Sequence, residues 1–120
     1  MIKYFFFKEN DNIKVISVKG HACYSVKKNN DIICSSVSTA ILMTLNSIEL
    51  LGFKKNIYYE LKKGYFFLKV LMFNLIIDKL LQNLEYTLKN LNKKYSKNLK
   101  NESKKTYFLI KKDIKGKDIC

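Results

Sequence analysis

The stretch Ile2-Lys3-Tyr4-Phe5-Phe6-Phe7-Lys8-Glu9-Asn10-Asp11-Asn12-Ile13-Lys14-Val15-Ile16-Ser17-Val18 sets the fold class. Residues 2 to 7 are β-branched or aromatic apart from Lys3, and Glu9-Asn10-Asp11-Asn12 supplies a polar turn. Beyond the turn, Ile13, Val15 and Ser17 alternate with Lys14, Ile16 and Val18, which is the two-residue period of a strand. The opening therefore predicts a β-hairpin ending near Gly20.

Outward from this hairpin, Val26-Lys27-Lys28-Asn29-Asn30 is a charged, turn-rich connection expected to be a surface loop. Asp31 fits a helix N-cap, because its carboxylate can accept a backbone amide two or three residues ahead, and Cys34 then falls in the first turn. Ile33, Val37, Ile41, Leu45 and Ile48 recur at helical spacing, and Gly52 ends the helix. Leu42, Met43 and Leu50 widen that stripe, so this helix is expected to be covered on more than one side. Asn56 to Leu61 and Tyr65 to Leu71 predict a second hairpin, joined through Lys62-Lys63-Gly64. Asn74 can cap a second helix with Ile77, Leu80, Leu81, Leu84, Leu88 and Leu91 toward the sheet and Asp78, Gln82, Glu85 and Lys89 outward. Residues 96–103 read as a polar linker, Thr106-Tyr107-Phe108-Leu109-Ile110 as a last strand, and 113–120 as a frayed tail. The order ββαββαβ predicts an α+β fold in which two helices pack against a mostly antiparallel sheet.

A chain of 120 residues suits one domain, taken as residues 1–120, and 48% hydrophobic residues are enough for a core. The start lacks the apolar run and cleavage site of a signal peptide. The greasy stretch Tyr65 to Ile77 is interrupted by Lys69 and Asn74 and falls short of the roughly 20 residues that span a bilayer. A cytoplasmic protein with no membrane partner is expected. Three cysteines without framework spacing leave at least one thiol unpaired and fit a reducing compartment. The formal charge of +13 invites RNA, but every basic residue is lysine, and base-specific contacts favour the bidentate fork of arginine. Twelve asparagines and the absence of proline and tryptophan point to general residue usage as much as to a selected patch. No specific nucleic acid is expected.

His21, the only histidine, lies thirteen residues before Cys34. A base and a thiol at a strand end and a helix start are the minimum for thiol chemistry, if folding brings them together. The first turn of a helix would set unpaired amides and a partial positive charge beside the sulfur, favouring the thiolate and able to hold an oxyanion. Asp31 serves either as a cap alone or also as a partner of His21. Ser38, one turn beyond Cys34, either approaches the sulfur or simply permits close helix packing. Gly20 either ends the strand or leaves room for a substrate backbone. Zinc on His21, Cys23, Cys34 and Cys120 is disfavoured, since only His21-Ala22-Cys23 approaches the paired spacing of structural sites. On residues alone, a lone His and a distant Cys are more often structural than catalytic.

Gly20-His21-Ala22, the run Asp31-Ile32-Ile33-Cys34-Ser35-Ser36-Val37-Ser38 and the order of elements around them resemble the bacterial ribosomal-processing cysteine protease family called Prp. The resemblance covers nearly the whole chain. It implies a homodimeric endopeptidase that removes the N-terminal extension of large-subunit ribosomal protein twenty-seven and so supports ribosome assembly. It also implies His21 and Cys34 as catalytic residues with Gly20, Asp31 and Ser38 in support. No cofactor and no metal are expected, and the loop over residues 23–30 is expected to close over the peptide as lids do. Cys23 departs from the family's usual small residue and adds a second thiol. The competing readings are a noncatalytic basic α+β module associating with ribosomal RNA, and a dimeric adaptor in which His21 and Cys34 lie far apart.

Overall fold

A computed structural model describes residues 1–20 and 28–102. The chain forms β1 (Ile2–Glu9), β2 (Asn12–Lys19), α1 (Lys28–Leu50), a 3-10 turn (Lys54–Asn56), β3 (Ile57–Lys62), β4 (Tyr65–Val70), α2 (Leu75–Lys94) and β5 (Leu99–Asn101). The sheet runs β3-β4-β2-β1-β5, with every pairing antiparallel except that of β1 with β5. The expected ββαββαβ order and mostly antiparallel α+β sheet are both present.

The first hairpin turns on Asn10 and Asp11, which adopt φ of 53° and 64°. Two consecutive left-handed residues match the right-handed twist of paired strands, and Asn and Asp tolerate that conformation best after glycine. A bulge interrupts the register, with Phe7 opposite Val15 but Lys8 opposite Ile13. It carries Ile13 onto the helix-bearing face beside Ile16 and Val18, while Val15 remains with Phe5, Tyr65 and Phe67 in a second cluster. Strict alternation had grouped Ile13 with Val15, and the inserted residue is the reason it does not hold.

Both helices cover one face. Ile33, Val37, Ile41, Leu45 and Ile48 of α1 are buried there, together with Ile77, Leu81, Leu84 and Leu88 of α2. By length and composition the segment Ile32–Leu50 could cross a membrane; in this fold its periodic apolar face lies on the sheet. Gly52, at φ +85°, closes α1 with Phe53 N–H donating to the Ile48 carbonyl at 3.0 Å. Leu42, Met43 and Leu50 are 48%, 65% and 86% exposed, so the described residues leave the widened stripe uncovered.

Asn74 caps α2 as expected, accepting from the amides of Ile76 and Ile77 at 2.9 and 3.2 Å. Asp78 and Glu85, expected outward, are buried. The bulge explains Asp78: its Oδ1 accepts from the Ile13 amide at 2.9 Å, and its Oδ2 accepts from Gln82 at 2.7 Å. Glu85 is held between Lys8 at 3.0 Å and Lys89 at 3.5 Å. The last described strand, Leu99–Asn101, falls inside the presumed linker 96–103, anchored by the fully buried Leu99 and paired parallel to β1 from Ile2 to Tyr4. The strand expected at Thr106 to Ile110 and the tail 113–120 lie outside the described residues.

Candidate active site

At one end of the sheet the last residue of β2's exit meets the β3–β4 turn, where Gly20 N–H donates to the Gly64 carbonyl at 3.0 Å. Gly20 has φ +122°, and a Cβ there would overlap the carbonyl oxygen of Met1. Backbone therefore takes up the space beside Gly20, and only glycine fits both the torsion and the contact. Here α1 lays its N-terminal half across the sheet and leaves a cleft of about 360 Å³. Cys34, Val37, Ser38 and Ile41 line its helix side. Lys19 and Gly20 with Lys62, Lys63 and Gly64 line the strand side.

Three of the five residues expected to act together, Gly20, Cys34 and Ser38, thus border one cavity. His21 and Cys23 lie outside the described residues, as does Cys120. Asp31 belongs to α1, three residues in from its start at Lys28, so it is not the N-cap that the sequence suggests. Lysine and asparagine are acceptable in a first helical turn, and no proline or glycine stops the helix from reaching back to Lys28. The same shift takes Lys28 to Asn30 out of the expected loop over 23–30.

Moving the helix start also changes the chemistry available to Cys34. The unbonded amides of α1 lie around Lys28 to Asn30, more than a turn before Cys34, whose own N–H falls within the helical ladder. Helix-start amides beside the sulfur, expected from the sequence, are therefore not what this site offers. It offers a half-buried sulfur against the core and lysines from two strands bordering an apolar floor of Val37, Ile41 and Phe66. Among the described residues, the charged side chains that line the cleft are Lys19, Lys62 and Lys63.

Lys19, Lys62 and Lys63 escaped the reading of the sequence. Lys19 follows an ordinary strand pattern and Lys62 and Lys63 read as a hairpin connection, and only the long-range pairing of Lys19 with Tyr65 brings them to one cavity. The sole signal was Gly64 at a hairpin turn, which locates the turn but not what faces it. Among the described residues no group of three or more His, Cys, Asp or Glu side chains is placed to hold a metal ion.

The family model for cysteine protease Prp matches residues 1–100. Comparison with curated proteins returned no match. The fold is similar to the essential ribosomal processing protease Prp from S. aureus in complex with a covalently linked product peptide, at 17% identity and a TM-score of 0.73 over 85% of this chain and 98% of that one. It is likewise similar to SMU.848 from Streptococcus mutans, at 19% identity and a TM-score of 0.69 over 85% and 92%. At these identities the structures establish the fold, and the family match over residues 1–100 establishes kinship: the chain belongs to the cysteine protease Prp family.

Proposed function

We propose that this chain is a cysteine endopeptidase in which His21 and Cys34 form the catalytic pair and the N-terminal extension of large-subunit ribosomal protein twenty-seven is the substrate. The observation that carries this reading is the shared cleft: Cys34 borders it beside Gly20, and the next residue after Gly20 is His21. His21 takes the Cys34 proton, and the thiolate attacks the scissile carbonyl. His21 then protonates the leaving amine, and water releases the acyl group from sulfur.

The open, apolar floor suits an extended peptide with aliphatic or aromatic side chains. A similar S. aureus protein, described as an essential ribosomal processing protease Prp, has a structure with a substrate peptide, which supports a peptide for this chain too. Homodimerisation through the uncovered flank of α1 at Leu42, Met43 and Leu50, and a role in ribosome assembly in the cytoplasm, complete the proposal. The test is incubation of the reduced protein with the extension peptide and mass spectrometry of the products. Undiminished cleavage by folded Cys34→Ala would rule the mechanism out. The charge of +13 favours a second reading, a noncatalytic module on ribosomal RNA, and binding insensitive to salt would count against it.

A further inference from the structure

The connection from β4 to α2 has an unusual composition for a surface loop. Leu71, Met72, Phe73, Leu75 and Ile76 are 56%, 66%, 55%, 62% and 49% exposed, and the only interruption, Asn74, is occupied in capping α2. Five large apolar side chains in six residues exceed the scattered exposure expected of a soluble surface. The segment is held in place: Leu71 and Met72 amides donate to the Asn56 carbonyl at 2.8 and 3.1 Å, and Asn56 Nδ2 donates to the Met72 carbonyl at 3.3 Å.

Those hydrogen bonds bring the turn carrying Lys54 and Lys55 alongside the apolar segment. Exposed Lys69 precedes it on β4 and exposed Lys79 follows it in the first turns of α2. Among the described residues near it, Glu49 pairs with Lys54 at 3.6 Å and Asp78 is held in buried hydrogen bonds, so Lys55, Lys69 and Lys79 carry the net positive charge. An apolar tip is thus flanked by a collar of lysines on the adjoining turn, strand and helix. It lies at the pole opposite the cleft, since α1 rises about 24 Å between Cys34 and Leu50.

We propose that this tip is a peripheral docking surface for an anionic lipid bilayer. Its apolar side chains enter the boundary between headgroups and acyl chains, and the lysine collar meets lipid phosphates. A second copy of the chain is the poorer occupant, because apposing two tips would set like-charged collars together on molecules that each carry +13. Nucleic acid matches the collar but offers nothing to the apolar side chains. The absence of a membrane partner was expected from signal-peptide features and spanning length, and interfacial docking needs neither. Docked in this way, the protein points its cleft away from the bilayer.

The test is flotation of the full chain with vesicles of phosphatidylcholine alone or containing phosphatidylglycerol. Partition onto the anionic vesicles is expected, weakened about tenfold or more by the double variant Met72→Ser/Phe73→Ser. Removing charge with Lys54→Gln and Lys55→Gln is expected to weaken it about fivefold per lysine. The altered side chains are exposed, and circular dichroism checks that each variant is folded. No partition onto anionic vesicles overturns the proposal, as does equal partition of wild type and the Met72/Phe73 variant. Self-association in sedimentation that this variant abolishes, without vesicle binding, would assign the tip to a second copy instead.

Discussion

Asp78 joins α2 to the bulge of β2, and its removal gives a measurable stability loss. In Asp78→Ala the Ile13 amide loses its acceptor while remaining buried, and Gln82 loses its partner. An orphaned buried donor costs about 1 to 3 kcal/mol, and a hydrogen bond to a carboxylate contributes about 1.5 to 3 kcal/mol. These overlap, so the expected loss is about 3 kcal/mol, to be read from urea unfolding at unchanged m-value. For a chain of this size that corresponds to a fall of about 12 °C in Tm. Asp78→Asn keeps an acceptor oxygen toward Ile13 and should lose about 1 kcal/mol or less. If Asp78→Ala were as stable as Asp78→Asn, the carboxylate would not be supporting the bulge, and the placement of Ile13 would need another cause.

Two further perturbations probe the frame around the cleft. Gly20→Ala is expected to destabilise by about 2 kcal/mol or more, because φ +122° and the Met1 carbonyl both oppose a Cβ; an unchanged Tm would refute that geometry. Burial, with help from Glu60 and Tyr58, pushes the Tyr65 phenol up to about 12. The native state therefore holds its proton longer than the unfolded chain does. The associated stability is present below pH about 10 and is lost as pH rises toward about 12. Tyr65→Phe should flatten that slope in unfolding measured across the range, and an unchanged slope would contradict the assignment.

The elements with a strong local period were legible in the sequence. The five buried positions of α1, the Asn74 cap and both hairpins follow from side chains that interact within a few residues of one another. Features set by distant partners were not. Asp78 is buried because it meets an amide 65 residues away, and no local pattern distinguishes it from an outward acid. Leu99 forms a strand because the edge of β1 is open beside it, in a segment whose composition reads as linker. At the site, the pairing of Cys34 with the end of β2 was expected from chain order, whereas the lysine border needed the pairing of β2 with β4. The N-cap assigned to Asp31 failed because asparagines that resemble a loop also suit a first helical turn.

The central claim is that Cys34 is the nucleophile of a peptidase. It is tested most directly by mass spectrometry of the ribosomal extension peptide after incubation with the reduced wild type and with Cys34→Ala. The account predicts a single internal cut by reduced wild type and none by the folded variant. Equal cleavage by Cys34→Ala, or no cleavage by fully reduced wild type, would contradict it.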